Sequence, residues 1–177
     1  MEVKKVVTGA ISENCYVLID QGNCLVVDPG DEFSKIKEVI GTNKVVGVLL
    51  THSHFDHVGA LREVMNLSKK IQLFKRSMLV EKTYTIENFT FDCLFTPGHS
   101  SDSVTYYFKE EQIMFVGDFI FKEGIGRCDL PTGDFKVMKD SLRKISTYPK
   151  NTILYPGHDE DTTLGYELEN NPYMQEV

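Results

Sequence analysis

The hydrophobic residues of this chain fall mostly into short, continuous runs, which are typical of strands covered on both faces. Cys15–Ile19 and Cys24–Val27 are two such runs, and the turn residues Asp20-Gln21-Gly22-Asn23 between them predict a hairpin. Further strands are predicted at Val3–Val7, Val45–Leu50, Ile71–Phe74, Thr85–Phe89, Phe91–Phe95, Val104–Phe108, Ile113–Val116 and Ile153–Tyr155.

Helical spacing of hydrophobic residues appears between these strands and again near the C-terminus. The clearest pattern is an amphipathic helix with Phe135, Met138, Leu142 and Ile145 on one face. Thr132 or Asp134 could cap its first turn. Three more helices are predicted around Ile36–Ile40, around Ala60–Leu67 and over Leu164–Asn170, the last ending before Pro172. Strands interleaved with helices, without a linker or a repeat, predict a layered α/β domain.

The composition narrows the class of protein. The chain has 177 residues, of which 41% are hydrophobic and 25% charged, so we expect one globular domain over residues 1–177. A formal net charge of -7 disfavours a nucleic-acid partner. The N-terminus shows no signal peptide, and no run approaches the roughly 20 apolar residues of a membrane span. We therefore expect a soluble, cytoplasmic protein without a membrane partner, whose oligomeric state stays open.

The cysteines give no sign of a structural role. Cys15, Cys24, Cys93 and Cys128 have no C-x-x-C spacing, and without a secretory signal they predict free thiols.

A dense group of metal-binding residue types follows the predicted strand Val45–Leu50. His52, His54, Asp56 and His57 stand within six positions. Because side chains alternate along an extended backbone, the first two point to the same side, while the last two can face a second point. Neutral imidazole and carboxylate suit zinc, and also iron and manganese. A lone histidine is more often an ordinary polar residue, but this density predicts a metal site.

Three more candidate ligands follow later strands singly, each directly after a glycine: His99, Asp118 and His158. Glycine allows a sharp turn or a close approach of the backbone. Alone, each of these residues would be interpreted as a turn residue or a surface residue. Together with the histidine group they indicate one site built at several strand ends, as is usual in α/β folds.

The run Thr-His-x-His-x-Asp-His at residues 51–57, with the later Gly-His, Gly-Asp and Pro-Gly-His turns, resembles the metallo-β-lactamase-fold hydrolase superfamily over nearly the whole chain. The turn Asp28-Pro29-Gly30 resembles that superfamily's first motif. The resemblance implies an αββα four-layer sandwich with two divalent metal ions, zinc in the first place, between the sheets at one edge. It implies one metal bound by His52, His54 and His99, a second bound by Asp56, His57 and His158, and Asp118 as the bridge. Asp28 would orient the metal-binding loop, with a plain turn as the alternative.

A second stretch indicates the branch of the superfamily. Gly126-Arg127-Cys128-Asp129-Leu130-Pro131-Thr132-Gly133-Asp134, together with the tail 162–173, is similar to small type II glyoxalase-like hydrolases. The similarity to the end of the chain predicts an untruncated protein that lacks the C-terminal helical domain of two-domain glyoxalase II enzymes. Asp118 and the missing signal peptide disfavour a true β-lactamase. His54 excludes the diiron flavoprotein pattern, and 177 residues leave no room for a nuclease insertion.

The leading hypothesis is therefore a hydroxyacylglutathione hydrolase-like thioesterase that cleaves a small acyl-thiol such as S-lactoylglutathione. A hydroxide bridging the two metals would attack the carbonyl, oriented by Asp56 and Asp118, and the thiolate would leave without a dedicated acid. All five histidines are used as ligands, so none serves as a proton shuttle. Arg127 would bind a substrate carboxylate; the alternative is a surface pair with Asp129.

Three alternatives stay open. An iron persulfide dioxygenase with one metal shares the ligand pattern and the Gly-Arg-x-Asp stretch, and a lactone hydrolase is a weaker possibility. A non-catalytic metal-binding module is disfavoured, because structural zinc sites are usually closed cages of four ligands rather than seven. Cys128 is expected to have no catalytic role.

Overall fold

The computed structural model of the chain describes residues 1–175, so the last two residues of the expected domain 1–177 lie outside the described part. Its first five strands form one sheet in chain order: β1 (Glu2–Thr8), β2 (Glu13–Asp20), β3 (Asn23–Val27), β4 (Lys44–Leu49) and β5 (Gln72–Phe74). The pairs β1–β2 and β2–β3 are antiparallel, whereas β3–β4 and β4–β5 are parallel. The β2–β3 hairpin is confirmed, and its turn residues Gln21 and Gly22 both have positive φ, as a tight two-residue hairpin turn needs.

The second sheet has the order β13-β12-β9-β8-β7-β6. Its strands are β6 (Thr83–Ile86), β7 (Phe89–Phe95), β8 (Val104–Phe108), β9 (Ile113–Gly117), β12 (Ile153–Pro156) and β13 (Thr162–Thr163). A small separate hairpin consists of β10 (Ile120–Phe121) and β11 (Gly124–Ile125). Only β9 and β12 pair in parallel in this sheet, within the described residues. The strands β10, β11 and β13 were not predicted, because two residues carry no period.

Six α-helices complete the described chain: α1 (Phe33–Ile40), α2 (Phe55–Val58), α3 (Leu61–Met65), α4 (Phe135–Ser146), α5 (Leu164–Asn170) and α6 (Pro172–Gln175). A 3₁₀ turn covers Arg76–Met78. Asp134, not Thr132, caps α4, because its carboxylate accepts hydrogen bonds from two backbone N–H groups of the first turn. Among residues 1–175, no helix is both long and apolar enough to cross a membrane.

Most strand boundaries lie within one or two residues of the sequence predictions, and three points differ from them for a physical reason. Phe89 begins β7 instead of ending β6, because Glu87 adopts a positive φ and turns the chain one step earlier. The predicted helix over 60–67 contains only α3, and Leu67 beyond it is exposed. Pro172 follows α5 as predicted but also begins α6, where a missing N–H costs nothing.

Three hydrophobic layers hold this architecture together and confirm the αββα sandwich. The middle layer packs the two sheets face to face and is rich in aromatic rings such as Tyr16, Phe91 and Phe115. The first outer layer packs α1 and α3 on the first sheet, and the second packs α4, α5 and α6 on the second sheet. Continuous apolar runs therefore did predict strands buried on both faces, as β4 shows. The four cysteines are free thiols, as predicted.

The middle layer gives a direct test of the fold. Phe115 is fully buried between the sheets, where its ring contacts Tyr16, Phe108 and Tyr155. We expect Phe115→Ala to lower the free energy of unfolding by about 3–5 kcal/mol, because it leaves a cavity in a closely packed layer. Urea denaturation measures this change. Phe135→Ala is the matched control, since Phe135 is 42% exposed, and an equal loss in both variants would contradict the packing described here.

Candidate metal centre

All seven candidate ligands lie at one edge of the sandwich. The strands β7, β9 and β12 run in the same direction, since β7 and β9 are both antiparallel to β8 and β12 is parallel to β9. Their carboxyl ends therefore meet, and each is followed within four residues by one candidate: His99, Asp118 and His158. The end of β4 joins this edge through a 2.7 Å hydrogen bond from Val104 N–H to the Thr51 carbonyl. The loop that follows carries the other four candidates.

The first group of ligand atoms comes from three imidazoles. His54 Nδ1 lies 3.1 Å from His52 Nε2 and 3.0 Å from His99 Nε2. Nitrogen ligands of a tetrahedral zinc, at about 2.0–2.1 Å from the ion, stand about 3.3 Å apart. The three ring nitrogens are thus spaced as the corners of a metal site.

The second group contains Asp56, His57 and His158. Asp56 Oδ2 lies 3.1 Å from His158 Nε2 and 3.4 Å from His57 Nε2. Asp56 and His57 reach this point because α2 begins between His54 and Asp56 and turns the chain away from the first group. In this arrangement His52 and His54 belong to the first group, whereas Asp56 and His57 belong to the second, as the alternation of side chains in the sequence predicts.

Asp118 stands between the two groups. Its Oδ1 is 3.3 Å from His57 Nε2, while its Oδ2 is 3.6 Å from His99 Nε2 and 3.7 Å from His158 Nε2. The Asp118 carboxylate therefore faces both groups of ligand atoms. A bridging ligand requires this geometry.

The donor set fits a metal centre on two independent grounds. First, His57 Nε2 and Asp118 Oδ1 are buried without a hydrogen-bond partner of good geometry among the described residues, although nearly all buried polar atoms in proteins have one. Second, burial lowers the pKa of His52 and, more weakly, of His99, so these rings are neutral and can donate a lone pair. Burial would raise the pKa of Asp118, but the positive charge of the adjacent His57 outweighs burial and holds the carboxyl ionised.

His57 behaves differently from His52. Burial opposes its protonation, but the carboxylates of Asp28 and Asp118 more than compensate and raise its pKa well above the usual range. In the metal-free chain, His57 therefore holds a proton between two carboxylates. A cation bound by the second group would displace that proton.

Asp28 is more than a turn residue. It is buried, and its Oδ1 accepts a 2.7 Å hydrogen bond from Thr51 N–H, while its Oδ2 accepts from Thr51 Oγ1 at 2.5 Å and His57 Nδ1 at 2.9 Å. His57 is thereby turned so that Nε2 faces Asp56 and Asp118. His99 is oriented in the same way, by donating from Nδ1 to the Arg127 carbonyl at 2.8 Å. Hydrogen bonds of this kind set which nitrogen of a histidine is free to bind a metal.

Glu13 is a site residue that sequence reasoning missed. It is buried beside His57, with Oε1 3.8 Å from Nδ1, and Thr8 Oγ1 donates to its Oε2 at 2.9 Å. Burial and the nearby Asp28 carboxylate raise its pKa to about 9, so Glu13 is neutral at pH 7. The sequence offered one signal for Glu13: a charged residue that stands just before the apolar run Cys15–Ile19.

A cleft of about 820 Å³ opens beside the candidate ligands. Its lining combines five of them (His54, Asp56, His99, Asp118 and His158) with the apolar side chains of Ile11, Phe55, Phe121 and Leu130 and with Arg127.

Arg127 lies in this cleft, but its guanidinium is already paired. Its Nε and Nη2 each donate to Asp129 at 2.7 Å, which is the surface pair considered as the alternative to a substrate contact. Cys128 is half-buried, and burial raises the pKa of its thiol, which makes it a poor nucleophile.

Comparison with known proteins agrees with this geometry. The family model for the Metallo-beta-lactamase superfamily matches residues 8–73 and 78–158. Among curated proteins, the chain is 34% identical to the probable metallo-hydrolase YqgX of Bacillus subtilis (strain 168), over 98% of each chain. It is 28% identical to the hydroxyacylglutathione hydrolase GloC of Haemophilus influenzae, again over 98% of each.

Two solved structures are also similar over nearly their whole length. The crystal structure of the BLEG-1 B3 metallo-beta-lactamase has a TM-score of 0.92 and 32% identity, covering 98% of this chain and 99% of that one. The di-iron-bound form of TTHA1623 has a TM-score of 0.84 and 30% identity, covering 96% and 99%.

The close approach of the backbone to the ligands gives a steric test. A Cβ placed at Gly157 would overlap Asp118 Oδ1 and lie 2.6 Å from His57 Cε1, whereas a Cβ at Gly124 would meet nothing closer than 3.9 Å. We expect Gly157→Ala to destabilise the metal-free protein by about 1–3 kcal/mol, as overpacking does, and Gly124→Ala to change it far less. Urea denaturation and the metal content after dialysis measure both effects. Full metal content and stability in Gly157→Ala would show that the ligands are not packed against this glycine.

Proposed function

Because this chain belongs to the metallo-beta-lactamase superfamily, we propose that it is a metal-dependent hydrolase of the glyoxalase II type, which cleaves a small acyl-thiol into a carboxylic acid and a free thiol. The observation that carries the proposal is the place of Asp118 between two groups of ligand atoms. The match to GloC over nearly the whole chain supports the thioester as the substrate class. The proposed functional unit is a single domain over residues 1–177.

In this proposal the first cation is held by His52, His54 and His99, the second by Asp56, His57 and His158, and Asp118 contacts both. Zinc is the first choice, and iron or manganese also suits imidazole and carboxylate donors. Two such cations would polarise the thioester carbonyl and lower the pKa of a coordinated water from about 15.7 toward neutrality.

The chain's own residues account for the other requirements of the reaction. Asp56 and Asp118 have lowered pKa values, so both are ionised at pH 7 and can accept a hydrogen bond from the attacking water and orient it. Asp28 holds His57 in the orientation that the second cation needs. Since thiols have a pKa near about 8.5, the thiolate leaves without a protein acid.

Removing the bridging carboxylate is the first test of the proposed centre. We expect the metal-loaded protein to contain about two metal ions per chain and to release thiol from S-lactoylglutathione. Asp118→Ala should bind at least one metal ion fewer, and its kcat should fall about 10²-fold or more. The reason is that the carboxylate proposed to contact both metals and the attacking water is gone. Asp140→Ala, an exposed residue paired with Arg143 on α4, is the control. Undiminished hydrolysis by Asp118→Ala would make the bridging assignment wrong.

The same metal-loaded protein can be assayed for the activities that compete with thioester hydrolysis. Asp118 disfavours a β-lactamase, but the similarity to the BLEG-1 B3 metallo-beta-lactamase makes β-lactam hydrolysis a second candidate, so a chromogenic β-lactam belongs in the assay. One iron per chain with oxygen uptake on a glutathione persulfide would replace the thioesterase proposal by a persulfide dioxygenase. Turnover of a lactone alone would identify a lactonase. Retained metal without turnover on any of these substrates would favour a binding module.

Arg127 gives a second test, directed at the carrier thiol. If its guanidinium binds a carboxylate of a glutathione thioester, Arg127→Ala should raise KM several-fold and leave kcat nearly unchanged. Asp129→Ala frees the guanidinium fork from its present partner and should lower KM. Initial rates on an anionic thioester and on a neutral one measure the difference. Unchanged KM values in both variants would leave Arg127 as a surface ion pair.

A further inference from the structure

Phe55 is the most exposed large apolar side chain of residues 1–175, with 78% of its surface accessible. It lies between the candidate ligands His54 and Asp56 and lines the cleft beside them. As the first residue of α2 it contributes to none of the three hydrophobic layers, so a polar residue would serve the fold equally well. An exposed aromatic ring next to a candidate metal centre indicates a binding surface.

Phe55 has apolar neighbours in the cleft that come from other parts of the chain. Ile11, 53% exposed, stands in the turn between β1 and β2, and Ile11 and Phe55 also border an adjoining cavity of about 250 Å³. Phe121 lies with its ring centroid 6.2 Å from that of His158, and Leu130 completes the set. We refer to Ile11, Phe55, Phe121 and Leu130 as the apolar lining.

Most polar side chains of the cleft belong to the candidate centre or have hydrogen-bond partners within the protein. Asp56, Asp118 and the histidines belong to the candidate centre, and Arg127, the only Lys or Arg in this lining among the described residues, is paired with Asp129. A metal centre would take the thioester carbonyl, and Arg127 can exchange its exposed partner Asp129 for a carboxylate of the carrier thiol. The acyl chain is then left for the apolar lining. A lactoyl group is short and hydroxylated, and it would leave Ile11 and Phe55 in water.

We infer that the apolar lining binds the acyl chain of the substrate, and that the preferred substrates are thioesters of unbranched fatty acyl chains with several methylene groups. This inference rests on the proposed thioesterase function and specifies its substrate class. Ile11 and Phe55 are the residues that set the specificity, because they are the most exposed members of the lining.

A series of acyl chains on one carrier tests the inference by activity. We expect kcat/KM on the acetyl, butanoyl, hexanoyl and octanoyl thioesters of N-acetylcysteamine to rise two- to fourfold per methylene; fourfold corresponds to ~0.8 kcal/mol. Phe55→Ser and Ile11→Ser should reduce the ratio of octanoyl to acetyl activity at least tenfold, with metal content unchanged. Val80→Ser, at an apolar residue that is 59% exposed and lies outside the cleft, should keep the wild-type ratio. A flat series in the wild type would overturn the inference.

A second measurement does not depend on turnover. The chain contains no tryptophan, so Phe55→Trp introduces a single indole next to the candidate centre. We expect S-octyl N-acetylcysteamine, a thioether that cannot be hydrolysed, to shift the emission of metal-loaded F55W to shorter wavelength in a saturable way. An S-ethyl analogue should bind at least tenfold more weakly. Phe135→Trp, at an exposed aromatic position outside the cleft, is the matched control.

The two measurements separate the failure of this inference from failure of the proposed function. A saturable shift in F55W without turnover of any thioester would reject the thioesterase and keep the apolar lining as a site for alkyl chains. Efficient turnover of lactoyl and acetyl thioesters, with a flat acyl series and no shift, would keep the thioesterase and overturn the inference. Equal shifts in F55W and F135W would also overturn it, because they would show non-specific binding.

Discussion

The hydrogen bonds of one buried carboxylate, Asp28, determine the arrangement of the candidate metal centre. The carboxylate accepts from the backbone and side chain of Thr51, at the end of β4, and from His57 in α2. The loop that carries four of the seven candidate ligands is therefore anchored at both its start and its far end. A buried carboxylate without these donors would cost several kcal/mol, so the loop cannot rearrange without losing them. The orientation of His57, and with it the second group of ligand atoms, follows from this network.

The rest of the architecture brings the other ligands to that loop. The aromatic layer between the sheets holds their facing surfaces together, and the common direction of β7, β9 and β12 places three more candidates at one edge. Glycine permits the final approach: Gly117, with φ of 55°, leaves no room for a Cβ beside Thr51. Strand ends position three of the seven side chains, and the hydrogen bonds of Asp28 anchor the loop that carries the other four, which favours a preorganised site.

Much of the fold follows from the sequence because hydrophobic burial acts on patterns of five to eight residues. The β2–β3 hairpin, the strand β4 buried on both faces and the helix α4 are recognisable in this way. Local pattern was insufficient where a boundary depends on a single backbone angle, as at Glu87 before β7, or where an element has two residues, as in β10. The spacing in the loop 52–57 indicated a metal site, and the assignment of each ligand to an ion stays a prediction.

By itself, the sequence determined the layered α/β class, the composition of the candidate donor set and its likeness to a hydrolase superfamily, because these depend on residue types and short spacings. The tertiary structure decided which groups are partners. It placed Asp118 between the two ligand groups, buried a neutral Glu13 next to His57 and left Phe55 exposed in the cleft. These facts come from contacts between residues distant in the chain and from the burial they create. Distance and burial set pKa values and accessibility, and no local pattern in the sequence encodes them.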